Sequence, residues 1–223
     1  MEKKQVKTEG KGKIKWAATC GLLACLGEFL VEFHAANGVP GYNAVRQTIS
    51  YLGHADSPMH TLVTFWGTCF TLLFLGYAHG FQKVYQGFPK AKWAVMSMVV
   101  HGLAQGMGSA YFPVDLSQPV PLGYWDLHQI LSGCGDLALV GFPWVMQGYF
   151  KDRGAWGLYL TRWVGYLGAI LMLLFVVSKY GGEGFLGPYK GLLQRLAQGV
   201  YYVYFCFLAM GMLRGKELPF GSR

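Results

Sequence analysis

Six stretches of this chain run for about 20 residues with almost no charge, the length a helix needs to cross a hydrocarbon core roughly 30 Å thick. They fall at about Trp16 to Ala35, Pro58 to Phe81, Trp93 to Phe112, Leu127 to Phe150, Leu160 to Tyr180 and Tyr189 to Arg214. Lipid offers no water to satisfy backbone amides, and the alternating pattern of a membrane β-barrel is absent, so each stretch is read as an α-helix. The expected fold is all-α: a polytopic bundle of six transmembrane helices over residues 16–214, with a basic tail at 1–15 and a second tail at 215–223. Composition agrees, because only 13% of the 223 residues are charged, about half the fraction of an ordinary soluble domain. The first apolar run is too long for a signal-peptide core and lacks a small-residue cleavage site, so it is read as a retained helix.

The net charge of +8 follows from topology. Six Lys lie in the first tail, three basic residues in the 82–92 loop, three in 151–162 and three at the C-terminal end. The alternate loops and their margins hold only Arg46, Lys179, Lys190 and Arg195. Positively charged loops stay in the cytoplasm, which predicts cytoplasmic termini and an outward face made of the other three loops. The basic residues form no groove-sized patch, so a nucleic-acid partner is not expected; membrane lipids are.

Those outward loops, NGVPGYNAVRQTISYLGHADS, PVDLSQPVPLGYWD and GGEGFLGP, are rich in the Gly and Pro that fix turns, and rigidly held loops commonly carry function. Polar residues inside the helices cluster toward the same side. Glu28 and Glu32 share one face of the first helix, Asp136 lies in the fourth, and Gln194, Arg195 and Gln198 open the sixth. Charge at membrane depth is costly, so these groups are expected to face the bundle interior, paired or hydrated. Arg195 serves either as a salt-bridge partner of Glu32 or Asp136 or as an anion clamp for a headgroup. Together with Arg46, these residues are the expected substrate-binding set: Arg195, Gln194, Arg46, Glu32, Asp136 and Glu28.

Asp115, His128 and Ser50 are the candidate catalytic residues, and Asp115, His128 and His54 a candidate set for a divalent metal such as zinc that would activate water. No HExxH or GxSxG spacing accompanies them, and Ser50 reads equally as a turn cap. Gly102 and Gly106, and Gly165 and Gly168, allow close helix approach. The five cysteines sit in apolar runs without ligand or disulfide spacing.

The string PGYNAVRQTISYLG, the SP before the second helix, FPVD after the third, His128 opening the fourth and GLLQR opening the sixth together resemble a bacterial six-helix membrane family, domain of unknown function 998. The resemblance covers residues 16–214. It implies that Ser50, Leu52, Gly53, Pro58, Phe112, Pro113, Asp115, His128, Gln194 and Arg195 occupy motif positions, and that the chain resides in a bacterial plasma membrane. That family is similar in organisation to the DRAM/FRAG group, associated with lipid remodelling. A looser likeness is to the seven-helix alkaline ceramidases, which hold zinc with histidines beside a Ser and an Asp; the present sequence has six helices and no HxxxH pair in its last. Three functions therefore stand as expectations: a lipid-directed binder or hydrolase with an outward polar pocket, a small proton- or cation-coupled transporter, and an accessory membrane subunit.

Overall fold

A computed structural model describes the backbone of residues 2–114, 126–181 and 184–214, with side chains from residue 11 onward. It is all-helical among the described residues. The elements are α1 (Glu2–Gly38), a 3-10 turn (Ile49–Gly53), α2 (His60–Val84), α3, α4 (Leu127–Phe150), α5 (Ala155–Tyr180), a short 3-10 turn (Gly187–Tyr189) and α6 (Lys190–Leu213). The third helix has three parts, α-helical Ala91–His101, a π-helical segment Gly102–Gly108 and a last turn Ser109–Tyr111.

Among the described residues, five helices are long and apolar enough to cross a membrane; the interrupted α3 packs with them in the bundle. The surface carries the same message. Phe33, Leu137, Phe65 and Val203 are each at least two-thirds exposed, an arrangement that lipid stabilises and water penalises. Trp16, Trp93 and Trp156 are also exposed near helix ends, where interfacial tryptophans belong. The protein is thus an integral membrane protein by fold.

Helix α1 begins at Glu2, well before the Trp16 start expected from hydropathy. Lys, Glu and Gln have good helix propensity, and extending a helix already nucleated in lipid costs little.

Each helix packs on its neighbours in sequence, and α6 closes the ring against α1. Close approach relies on small residues. A Cβ at Gly106 would strike the Gly67 carbonyl and the Thr71 hydroxyl, and one at Gly168 would strike the Tyr201 ring. The two ends of the ring differ. The half holding the ends of α2 and α6 is filled by Phe74, Tyr77, Phe81, Phe142 and Phe205, all buried, with ring centroids as close as 4.7 Å for Phe142 and Phe205. At the other end the ring opens into a cavity under the 3-10 turn.

Candidate functional site

The turn over the cavity is held down by the start of α6. Gln194 accepts the Ile49 amide through Oε1 at 2.8 Å, and the Leu192 amide donates to the Val45 carbonyl at 3.0 Å. Arg195 donates through Nη1 to the carbonyls of Ala44 (2.9 Å), Gln47 (3.2 Å) and Gly191 (3.0 Å). Its Nη2 donates to the Tyr42 hydroxyl, and its Nε faces Glu32 Oε2 at 3.4 Å. Gly191 is necessary because a Cβ there would overlap the Ala44 and Gln47 carbonyl oxygens. Burial pushes the Tyr42 phenol above its ordinary range against the opposing pull of the Arg195 charge. The two strings GYNAVRQTISYLG and GLLQR, far apart in sequence, are therefore one structural unit.

That unit delivers Ser50 to His128. Asp126 caps α4, its side chain accepting the Gln129 amide, and His128 follows in the first turn. One ring nitrogen of His128, Nδ1, lies 2.7 Å from the Phe112 carbonyl. A carbonyl only accepts, so Nδ1 carries the proton and the other nitrogen, Nε2, of the neutral ring has a free lone pair. The Ser50 hydroxyl, 3.0 Å away, donates into that lone pair. Hydroxyl, imidazole and an orienting acceptor in this order are the parts of an activated nucleophile; here a backbone carbonyl takes the orienting place.

Ser50 and His128 line a cavity together with Glu28, Gln105, Gln194 and Gln198. An adjoining recess shares Glu28, Ile49, Val63 and Trp66 with it and is further walled by Glu32 and by the apolar groups Val31, Ala35 and Leu52. Glu28 accepts the Trp66 indole N–H through Oε2, and Asp136 accepts from Gln105 Nε2 at 2.6 Å.

Several expected site residues thus converge, and others do not. Ser50, His128, Glu28 and Gln194 line the cavity. Glu32 and Arg195 pair behind it, and the guanidinium is committed to protein acceptors instead of facing the cavity. Asp136 pairs with Gln105, not with Arg195. Arg46 is exposed on the loop and does not line the cavity. Asp115 lies outside the described residues. His54 accepts the Asp56 amide through Nδ1 at 3.2 Å and stacks edge-on against Tyr51, away from the cavity lining. Both nitrogens of His128 are engaged, and no group of three or more His, Cys, Asp or Glu gathers among the described residues.

Two contributors escaped the sequence reading. Gln105 and Trp66 each hold a membrane-depth carboxylate, and the signal for them was the demand of Asp136 and Glu28 for donors on a facing helix.

No curated protein and no solved structure matches the chain. A family model does match, that of "Protein of unknown function (DUF998)", over residues 22–211. Because that match takes in every described element of the ring, from the middle of α1 to the last turn of α6, the chain belongs to the family of unknown function 998.

Proposed function

We propose that this membrane protein is a lipid-directed hydrolase in which Ser50 is the nucleophile and His128 the general base, acting on a carboxylic ester of an amphiphile that reaches the cavity from the membrane. The observation that supports the reading is the Ser50–His128 hydrogen bond at 3.0 Å in a ring whose tautomer the Phe112 carbonyl fixes. Val31, Ala35, Leu52 and Val63 in the recess beside the cavity give an apolar surface next to the polar groups, which suits an amphiphile better than a fully polar ligand.

The chemistry balances with these groups. As Ser50 Oγ bonds to the ester carbonyl carbon, its proton passes to His128 Nε2. The tetrahedral adduct collapses, the C–O bond to the alcohol breaks, and His128 returns the proton to the leaving alkoxide. Water then loses a proton to His128 as its oxygen attacks the acyl-serine, and Ser50 recovers that proton when the carboxylic acid departs. Gln194 lines the cavity with Ser50; with its Oε1 occupied by the Ile49 amide, its NH2 group is the part left to donate to the oxyanion.

A fluorophosphonate probe with an alkyl chain tests this on the detergent-purified protein. One phosphonyl group per chain is expected, mapped to Ser50 by peptide mass spectrometry and lost in both Ser50→Ala and His128→Gln. Absence of labelling in the folded wild type, or labelling that survives both changes, overturns the proposal.

The transporter alternative receives less support, since Phe74, Phe81, Phe142 and Phe205 fill the half of the bundle beyond the cavity.

A further inference from the structure

The cavity has spare hydrogen-bonding capacity, and nearly all of it on the floor is accepting. Glu28 uses one oxygen on the Trp66 indole, while a carboxylate offers about four acceptor positions. Gln105 spends its Nε2 hydrogens on Asp136 and the Ser132 carbonyl, so its carbonyl oxygen is what it has left to offer the cavity it lines. Gln198, only 5% exposed, lines the same cavity, and its Oε1 is buried without a partner. A buried acceptor left without a partner is destabilising, and a ligand donor would remove that cost.

Charge points the same way. Among the described residues, Glu28 is the one carboxyl lining the cavity, and no Lys or Arg lines it. The nearest arginine, Arg195, is paired with Glu32 and bound to three carbonyls. Taken together, the acids Glu28, Glu32 and Asp136 meet Arg195 at Glu32 and the Lys179 charge at Asp136, which leaves Glu28 without a cation of its own. A phosphate or carboxylate entering here would face acceptors and like charge. A lone hydroxyl would satisfy one acceptor and bring lone pairs of its own. A protonated primary amine has three donors, no acceptor and the missing charge, and the Trp66 and Phe70 rings in the wall favour a cation further.

We infer that the cavity floor formed by Glu28, Gln105 and Gln198 binds a primary ammonium group, so that the ligand is an amine-bearing amphiphile. This rests on the proposed hydrolase for its placement next to Ser50, and it names the substrate class of that site: an ester whose alcohol or acyl part carries a free amine.

Binding is measured by titration calorimetry on the purified full-length chain with octylamine, octan-1-ol and octyl phosphate, matched in chain length. Wild type and Ser50→Ala are both expected to bind the amine at least about tenfold more tightly than the alcohol, a difference of one charge-assisted contact. The preference should vanish in Glu28→Gln, a variant whose amide oxygen still accepts the Trp66 indole and so keeps the helix contact. Gln198→Met, which removes the unpartnered acceptor together with the amide NH2 at similar volume, should reduce the preference and guards against a folding defect in the first variant. Equal affinity for amine and alcohol, tighter binding of octyl phosphate, or an amine preference that survives Glu28→Gln each overturns the inference. The two readings fail separately. Amine selectivity without probe labelling removes the nucleophile and keeps the ammonium site, whereas labelling of Ser50 without amine selectivity removes the ammonium site alone.

Discussion

Arg195 shows how much of this site hangs on one side chain. Its guanidinium ties Glu32, Tyr42, Gly191 and two loop carbonyls together, and replacing it by Ala leaves a carboxylate at membrane depth without its partner. Breaking such a pair costs about 3–5 kcal/mol, so Arg195→Ala is expected to lower the thermal midpoint strongly. Arg195→Lys should rescue only part of the loss, because an ammonium cannot span acceptors arranged for a fork. Gly191→Ala should cost about 1–3 kcal/mol through overlap with the Ala44 and Gln47 carbonyls. In both cases fluorophosphonate labelling of Ser50 should fall with the midpoint, since the loop carries the nucleophile. The Tyr42 phenol adds a pH dependence. Folding raises its pKa, so its contribution is complete below the ordinary tyrosine value of about 10 and is lost as pH climbs through the raised value. The midpoint of wild type should drop between pH 9 and about 11.5 by more than that of Tyr42→Phe. Much of this was legible residue by residue, because a charge in lipid must find a partner, and Glu32 was one of two acids named for Arg195. The Ser50–His128 pair was not legible as a contact. The two residues are 78 apart, no local motif joins them, and only the folded loop decides where the hydroxyl points.

The π-helical segment Gly102–Gly108 sets the register of everything after it on α3. Thr71 on α2 pins it: the hydroxyl lies 2.8 Å from the Gly102 carbonyl and 2.9 Å from that of Gly67, and it accepts the Met107 amide at 3.0 Å. Widening the turn lets Gln105 reach Asp136 and brings the Phe112 carbonyl to His128. Thr71→Val keeps the volume and deletes the hydroxyl, leaving the Met107 amide without its acceptor. The expected cost is about 1–3 kcal/mol, and amide exchange in Gly102–Gly108 should accelerate while α5 is unaffected. Faster exchange spread evenly over the bundle would mean that Thr71 supports general packing only. Hydropathy located this helix and its small residues correctly, since Gly102 and Gly106 do meet α2 at Phe74, Gly67 and Thr71. It could not show the π turn, because a single change of hydrogen-bond register leaves the apolar pattern nearly intact. The same blindness placed the start of α1 at Trp16, where hydropathy changes and helicity does not.

Taken as a whole, the bundle is asymmetric along its axis, with a polar cavity at the end carrying the 39–59 loop and a packed aromatic half at the end carrying the 85–90 loop. This asymmetry acquires a direction from the charge bias of the loops, where Lys and Arg crowd the 82–92 and 151–162 segments and so favour their retention in the cytoplasm. The cavity should then face outward. Asp56 and Lys90 are both exposed and stand at opposite ends, so single Asp56→Cys and Lys90→Cys changes report the direction in intact cells. A membrane-impermeant maleimide is expected to label position 56 directly and position 90 only after permeabilisation, against the background of the unmodified chain. The reverse pattern would place Ser50 and His128 on the cytoplasmic side and restrict their amphiphile to the inner leaflet. With the outward pattern, an impermeant amine should compete with probe labelling of Ser50 in intact cells, because the aromatic half fills the opposite end of the bundle and the cavity lies at the outer one.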